Sequence, residues 1–181
     1  YYTVIERDNG GLRAIPYSQA YVDHLEAASA ALRDAAEYAD NSSLERFLRL
    51  RAESFLTDDY FDSEIAWMRL EDNLIDPTIG PYEVYEDGLF GYKASFESFI
   101  GFKDPQASDL LAGLAARLPD LERALPIPDE HKYLDRDFTS PISVIDLVYG
   151  AGETRPGVQT IAFNLPNDPR VRETEGSKKV M

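Results

Sequence analysis

Apolar residues recur at helical spacing through roughly the first 75 residues of the chain. This spacing predicts three amphipathic helices. The first begins near Ser18, which can act as an N-cap, and the second begins at Ser42, with Glu45 at the spacing of a capping box. The third follows Thr57-Asp58, and Asp76-Pro77 ends the helical part because a residue before proline disfavours the helical conformation.

The segment from Gly80 to Lys93, GPYEVYEDGLFGYK, predicts a strand instead. In an extended chain, Glu83 and Tyr85 lie on one face, and Tyr82 and Val84 lie on the other. A carboxylate beside a phenol can bind a cation and polarise a carbonyl group. The same pattern is also typical of a half-buried strand whose polar side chains simply face water.

The second half of the chain mixes helical and strand patterns. Ala94 to Ile100 predicts a short helix with Phe96 and Phe99 pointing inward, and Asp104-Pro105 predicts the start of another helix. Two further segments predict strands, Ile142 to Tyr149, which is expected to be buried, and Val158 to Asn164. Antiparallel pairing of these two is suggested, but the long connection leaves it open. The chain is therefore predicted to have an α+β fold, with N-terminal helices followed by a mixed region around a small β core.

Composition narrows the function without naming it. A hydrophobic share of 44% over 181 residues is enough for a folded core. The formal charge of -15 disfavours nucleic acids and anionic membrane surfaces, and it favours a cationic partner. No apolar run or leader segment indicates a membrane span or secretion, so a cytoplasmic location is favoured. Without cysteine the chain has no thiolate nucleophile and no thiolate metal site.

Other familiar chemical motifs are weak or missing in the sequence. His24 and His131 lie far apart, and neither has the neighbouring ligand that a helical zinc site requires. The acidic run from Asp58 to Glu64 lacks the glycine and closing glutamate of an EF-hand, so it indicates a helix N-terminus rich in carboxylates. Gly150 to Gly157 lacks the lysine of a phosphate-binding loop and is predicted to connect strands.

Asn164-Leu165-Pro166-Asn167 places two amide side chains around a proline turn at the end of a predicted strand. Each amide can both donate and accept hydrogen bonds, which is what a bound peptide backbone needs. Ordinary turn chemistry explains the same residues, because asparagine and proline are common in turns.

Two separated blocks of the sequence resemble the dipeptidyl peptidase III family of zinc metallopeptidases. The helical part around Ile65-Ala66-Trp67-Met68 is similar to the peptidase-like region that plants carry fused behind a Nudix domain. The first block runs from Ile79 to Phe99 and includes Gly80, Glu83, Tyr85, Phe90-Gly91 and Phe96-Glu97. The second block comprises Lys132-Tyr133-Leu134, Asp137-Phe138-Thr139-Ser140, Asn164-Leu165-Pro166-Asn167 and Thr174-Glu175-Gly176.

The resemblance implies a two-lobed enzyme with a helical, zinc-bearing lobe and a mixed lobe built around a small β-barrel. Residues 1–104 are then expected in the mixed lobe, and residues 105–141 form a helical insert that belongs to the zinc lobe. Residues 142–181 return to the β core of the mixed lobe.

The resemblance also implies roles for four residues of this chain. Glu83 would hold the free α-ammonium group of a peptide, and Tyr85 would stabilise the oxyanion of the tetrahedral intermediate. Asn164 and Asn167 would grip the N-terminal end and the backbone of the substrate. No residue of this chain is predicted to bind metal, because the family's zinc motif lies beyond the equivalent of Met181.

The predicted function is substrate binding within a zinc-dependent exopeptidase that releases dipeptides from the N-termini of short peptides. Both ends of the chain look cut from a longer polypeptide, and this piece alone is expected to be inactive. Its expected partners are short peptides and the remainder of the parent protein, which carries the zinc. Two alternatives stay open, a non-catalytic peptide-binding module and a part of a Nudix-fused hydrolase.

Overall fold

The computed structural model describes residues 1–134, 142–152 and 160–181, and it confirms the α+β class. The described helices are α1 (Tyr17–Ala20), α2 (Val22–Glu37), α3 (Ser42–Thr57), α4 (Phe61–Met68), α5 (Pro105–Ala115), α6 (Leu118–Ala124) and α7 (Pro169–Glu175), with a 3-10 turn at Asp129–His131. The strands are β1 (Thr3–Asp8), β2 (Gly11–Pro16), β3 (Ile75–Pro81), β4 (Phe96–Lys103), β5 (Ile142–Ser143), β6 (Ile145–Gly152), β7 (Phe163–Leu165) and β8 (Lys178–Val180).

The three predicted N-terminal helices are confirmed as α2, α3 and α4, but their caps differ from the prediction. The side chain of Asn41, one residue before Ser42, accepts a hydrogen bond from the backbone N–H of Leu44 at 2.9 Å and caps α3. Ser18 caps no helix, because its hydroxyl donates to the carboxylate of Asp58 at 2.6 Å. This hydrogen bond ties the start of the helical region to the end of α3.

Ahead of the helices, β1 and β2 form an antiparallel hairpin that the helical spacing did not predict. Asn9 and Gly10 both have positive φ angles, 47° and 87°, and so make the tight reversal that this hairpin requires. The backbone N–H of Tyr17 donates to the carbonyl of Tyr2 at 2.9 Å and fixes the hairpin against α1.

The segment from Ala94 to Ile100 does not form the predicted helix. Most of it belongs to β4, the central strand of a sheet in which β3 and β6 are both antiparallel neighbours. Phe96 and Phe99 are three residues apart and therefore point to opposite sides of the strand. Phe96 packs edge-on against Phe55 in the helical core, with ring centroids 5.8 Å apart, and Phe99 stacks on Phe163 at 4.7 Å.

A second sheet has the order β5-β8-β7, with β5 parallel and β7 antiparallel to β8. The predicted strand from Ile142 to Tyr149 is split into β5 and β6, and β6 is largely exposed rather than buried. In the described residues β6 pairs with β4 and β7 pairs with β8, so the suggested mutual pairing is not made. The described strands thus form two small sheets and a hairpin.

Some predicted features fall outside the described residues. These are the Asp137 to Ser140 part of the resemblance, most of the Gly150 to Gly157 turn and the start of the Val158 to Asn164 strand. The end of that strand is confirmed as β7. Across the described ranges, no helix has the length and apolar character needed to cross a membrane.

Helices α5 and α6 confirm the predicted helix start at Asp104-Pro105. The side chain of Asp104 accepts a hydrogen bond from the backbone N–H of Ala107 at 2.9 Å, and Pro105 occupies the first turn. Neither helix contains a buried residue. Leu110, for example, is 67% exposed, so within the described parts of the chain the apolar face of these helices is uncovered.

A buried ion pair lies where the helices meet β3. Arg51 in α3 is fully buried, and its Nη2 atom donates to Oε1 of Glu64 in α4 at 2.8 Å. The guanidinium group also lies 5.2 Å from the ring centroid of Tyr60 and 5.6 Å from that of Tyr82. Burial alone would lower the pKa of Arg51, but the Glu64 carboxylate raises it above the usual value. Glu64 is therefore a core residue rather than only a member of an acidic helix N-terminus.

Arg51→Met is expected to lower the free energy of unfolding by about 3–5 kcal/mol, because it leaves the Glu64 carboxylate buried without its partner. Arg49→Met is the matched control, since Arg49 pairs with Glu45 on the exposed side of the same helix, where the loss is about 1 kcal/mol or less. Denaturant unfolding of both variants measures the difference. Equal losses would contradict a structural role for the buried pair.

Candidate functional site

The segment after β3 carries the first predicted site residue, Glu83. Here the chain stays extended, because the N–H of Tyr82 donates to the carbonyl of Ser95 at 3.2 Å and the N–H of Ser95 donates to the carbonyl of Glu83 at 2.8 Å. Tyr82 is buried against the helices, whereas Glu83 is half-buried on the other side. This difference in burial is what the predicted alternation requires of these two residues.

The predicted strand ends before Tyr85. Tyr85 lies in a turn, with 80% of its surface exposed, so it does not continue the strand face of Glu83. Asp87 closes the loop that follows: its carboxylate accepts hydrogen bonds from the backbone N–H groups of Leu89, Tyr92 and Lys93 at 3.1, 2.8 and 3.1 Å. These hydrogen bonds lower the pKa of Asp87 and favour a loop over an extended strand.

Asn167 brings the second sequence block to the first. Its Nδ2 atom donates to the carbonyl of Tyr82 at 3.1 Å, and its side chain lies close enough to the Glu83 carboxylate to act on the pKa of Glu83. Burial raises the pKa of Glu83, and the side chain of Asn167 acts in the opposite direction. Two of the four predicted site residues are thus neighbours in the structure.

Asn164 and Asn167 lie on either side of a buried pair, Leu165 and Pro166. Asn164 is exposed in the middle of β7, where it pairs across the ladder with Lys179 of β8. Asn167 follows the strand, and the next residue begins the N-terminus of α7. Asn164 therefore lies in β7 and Asn167 in the turn after it, and of the two it is Asn167 that lies near Glu83.

A cavity of about 310 Å³ lies on the Tyr82 side of the segment and extends to Asn167. Two of its polar groups, the hydroxyl of Tyr60 and Oε2 of Glu64, are buried and have no hydrogen-bond partner among the described residues. Burial also raises the pKa of Tyr2 in its wall to about 12. The sequence analysis missed this cavity because its walls come from the hairpin, α4, the end of β3 and the turn before α7.

The described residues do not fit a zinc ion. In residues 1–134, 142–152 and 160–181, no group of three or more histidine, cysteine, aspartate or glutamate side chains is placed to hold a metal. His24 is exposed on α2, and His131 is exposed in the 3-10 turn.

The arrangement of Glu83 and Asn167 is suited to binding a cationic group. A half-buried carboxylate is costly to keep charged unless a cation or hydrogen-bond donors compensate it. Among the described residues, burial and Asn167 are the two influences on the pKa of Glu83, and no basic side chain is one of them. The carboxylate is therefore available to a cation from outside, and exposed amide groups nearby can bind a peptide backbone.

Known proteins resemble this chain in sequence and in fold. The model of peptidase family M49 matches residues 13–181. The structure of DPP III from Caldithrix abyssi superposes with a TM-score of 0.95 and 54% identity over 99% of this chain. Dipeptidyl-peptidase III from Corallococcus sp. strain EGB gives a TM-score of 0.85 and 46% identity over 100% of this chain.

A curated relative connects the chain with a Nudix protein. Nudix hydrolase 3 from Arabidopsis thaliana is 44% identical over 173 residues, which is 96% of this chain. The chain spans only 22% of that relative and 34% of each of the two solved structures. The resemblance noted in the sequence is confirmed at the level of the family: this chain belongs to peptidase family M49.

Proposed function

We propose that the chain is the part of a zinc-dependent exopeptidase that binds the N-terminus of a short peptide, from which the parent protein releases dipeptides. Membership of a peptidase family supports peptide hydrolysis by the parent. The two solved structures of similar sequence are described as dipeptidyl peptidase III, which supports dipeptides as the product.

The observation that carries this proposal is the arrangement of Glu83 and Asn167. The half-buried Glu83 carboxylate has a raised pKa, the side chain of Asn167 lies beside it, and among the described residues no basic side chain is a cause of the shift. An α-ammonium group supplies the missing positive charge and up to three hydrogen-bond donors. A peptide N-terminus therefore complements this site better than a neutral ligand does.

The other predicted residues complete the proposed roles. Asn164 and Asn167 hold the first residues of the peptide by its backbone, because an amide side chain can pair with both N–H and C=O groups. Tyr85 stabilises the oxyanion at the scissile carbonyl. Its exposure in the turn beyond Glu83 supports a role toward a group outside the described chain, such as the substrate. A fixed separation between the ammonium clamp and the catalytic centre would set the length of the product.

The catalytic zinc is proposed to lie in the remainder of the parent protein. The described residues hold no suitable ligand group, so the chain alone is expected to bind peptide and not to cleave it. We assign residues 1–104 and 142–181 to a mixed lobe and residues 105–141 to a helical insert of the zinc lobe. The uncovered leucines of α5 and α6 support this division, because they would pack against that lobe.

Two other functions remain candidates. The chain could be a peptide-binding module in a parent that does not catalyse, because the clamp alone requires no metal. The parent could instead carry a Nudix domain, which the similarity to Nudix hydrolase 3 supports. In that case phosphate-ester hydrolysis would belong to a different domain, and the clamp would keep the role proposed here.

In the parent protein, Glu83→Gln is expected to weaken the binding of a dipeptide with a free α-ammonium group by about 10- to 100-fold. This corresponds to the loss of one charge-assisted hydrogen bond, about 1.5–3 kcal/mol. Glu86→Gln, an exposed carboxylate three residues further on, is the matched control. Calorimetric titration with the free and N-acetylated dipeptides tests the proposal, which fails if Glu83→Gln binds the free dipeptide as tightly as the wild type does.

The affinity for the free dipeptide is expected to fall as the pH drops through the pKa of Glu83. This pKa is raised above its ordinary value of 4.5 by burial, and only the ionised carboxylate attracts an ammonium group. The loss of affinity at low pH should therefore begin at a higher pH than the pKa of an exposed glutamate would give. Glu83→Gln should abolish this pH dependence. Calorimetry between pH 4.5 and 7 measures both curves; an identical pH dependence in the variant would assign it to another group.

Tyr85→Phe in the parent protein is expected to lower kcat by about 10²–10³-fold and to leave KM nearly unchanged, because an oxyanion forms only in the transition state. Tyr92→Phe, which alters another exposed tyrosine of the same loop, is the control. Steady-state hydrolysis of a dipeptidyl arylamide separates the two constants. A change in KM with kcat intact would assign Tyr85 to substrate binding instead.

A further inference from the structure

A lysine is buried where the two three-stranded sheets meet α4. Lys178, the first residue of β8, is only 4% exposed. Its Nζ atom lies 3.4 Å from Oδ2 of Asp76 in β3 and 3.8 Å from the ring centroid of Trp67 in α4. The ammonium group thus contacts a carboxylate on one strand and an aromatic face on a helix.

One carboxylate oxygen of Asp76 lies near the ammonium groups of two lysines. Its Oδ2 atom also lies 3.7 Å from Nζ of Lys103 in β4, and Lys103 donates to the side-chain oxygen of Asn73 at 2.6 Å. Asp76 itself is 1% exposed, and its Oδ1 atom has no hydrogen-bond partner among the described residues. The carboxylate is therefore held mainly by the charges of the two lysines.

Burying this ion pair in the core costs free energy, because both charged groups lose their hydration. Burial lowers the pKa of Lys178 to about 8, although the Asp76 carboxylate opposes this shift. An apolar side chain of similar volume at this position would avoid the desolvation cost. In some proteins a buried ion pair is kept because it specifies one arrangement of the elements that carry it.

The pair links β3, which leads to Glu83, with β8, the ladder partner of the strand β7 that leads to Asn167. Lys178 lies opposite Leu165 in the ladder between β8 and β7, and Asn167 follows Leu165 by two residues. Asp76 lies in β3, which continues directly into Glu83. Since β3 and β8 belong to different sheets, no backbone ladder sets their separation.

We propose that Lys178 is a positioning residue for the peptide N-terminus: its contact with Asp76 sets the two sheets so that Asn167 reaches the Glu83 carboxylate. This inference rests on the proposed ammonium clamp. This positioning role differs from general packing in two ways. It requires the charge of Lys178, and it affects only the binding of the α-ammonium group of the peptide.

Lys178→Met in the parent protein is expected to weaken the binding of alanyl-alanine by about tenfold at pH 7. N-acetyl-alanyl-alanine, which has no ammonium group, should bind the variant and the wild type equally. Asp76→Asn should have an effect of the same direction, because it removes the charge with little change in volume. Arg49→Met, which breaks an exposed ion pair, is the control and should change neither affinity.

The ratio of the wild-type affinity to the Lys178→Met affinity for alanyl-alanine should also depend on pH. Lys178 is charged below its pKa of about 8, where Asp76 and Glu64 favour the charge and Lys103 opposes it. As the pH rises through this value the wild type loses the charge, so the ratio of wild-type to Lys178→Met affinity should fall toward one by pH 9.5. Deprotonation of the dipeptide affects both proteins equally and cancels in the ratio.

Calorimetric titrations of alanyl-alanine and its N-acetyl form between pH 6.5 and 9.5 decide the question, with circular dichroism as the check on folding. Equal weakening of both ligands, or a ratio that does not change with pH, would show a packing role and overturn the proposal. An unchanged affinity in Lys178→Met, with the loss in Glu83→Gln intact, would overturn the positioning role alone. If Lys178→Met does not fold, Asp76→Asn gives the same two readings, and the same outcomes support or overturn the proposal.

Discussion

The buried ion pair between Arg51 and Glu64 determines where the rest of the structure can lie. It joins α3 to α4, and its guanidinium group lies so close to β3 that a Cβ atom at residue 80 would come within 2.6 Å of Nη1. Gly80 therefore lets the strand pass over the charged group. Two residues later the ring of Tyr82 packs on the same guanidinium, and in an extended chain the next side chain, Glu83, is expected to face the opposite side. A core interaction between two helices thus constrains the strand that leads to the candidate ligand-binding carboxylate.

The sequence predicts the helices of this chain well because helical periodicity is a local property. The strands are harder, as β4 shows. Phe96 and Phe99 have a spacing of three, which suits a helix, but β3 and β6 provide ladder partners on both edges of that segment. Those partners are distant in sequence, so no window of local pattern contains the reason for the strand. The exposure of β6 has a similar origin. Whether a strand is buried depends on the elements that pack over its sheet, and these are set by the tertiary structure.

In the candidate site, too, the sequence predicts the local features but not those that depend on residues distant in the chain. Spacing predicts that Glu83 and Tyr82 face opposite sides, but the turn at Tyr85 depends on the side chain of Asp87 binding three backbone N–H groups. The approach of Asn167 to Glu83 joins segments far apart in the chain, and only the family resemblance indicated it. The cavity beside Tyr82 and the pair between Lys178 and Asp76, 102 residues apart, had no sequence signal at all.

Asp104 and Val144, which lie on either side of residues 105–141, are hydrogen-bonded neighbours in the β core. The N–H of Asp104 donates to the carbonyl of Val144 at 2.9 Å, and the N–H of Val144 donates to the hydroxyl of Ser108 at 3.0 Å. Because the two ends are fastened to each other, the intervening segment can change length or sequence without moving β4 or β6. In evolutionary terms this excursion behaves as a replaceable module: it can be remodelled while the sheet formed by β3, β4 and β6 keeps its geometry.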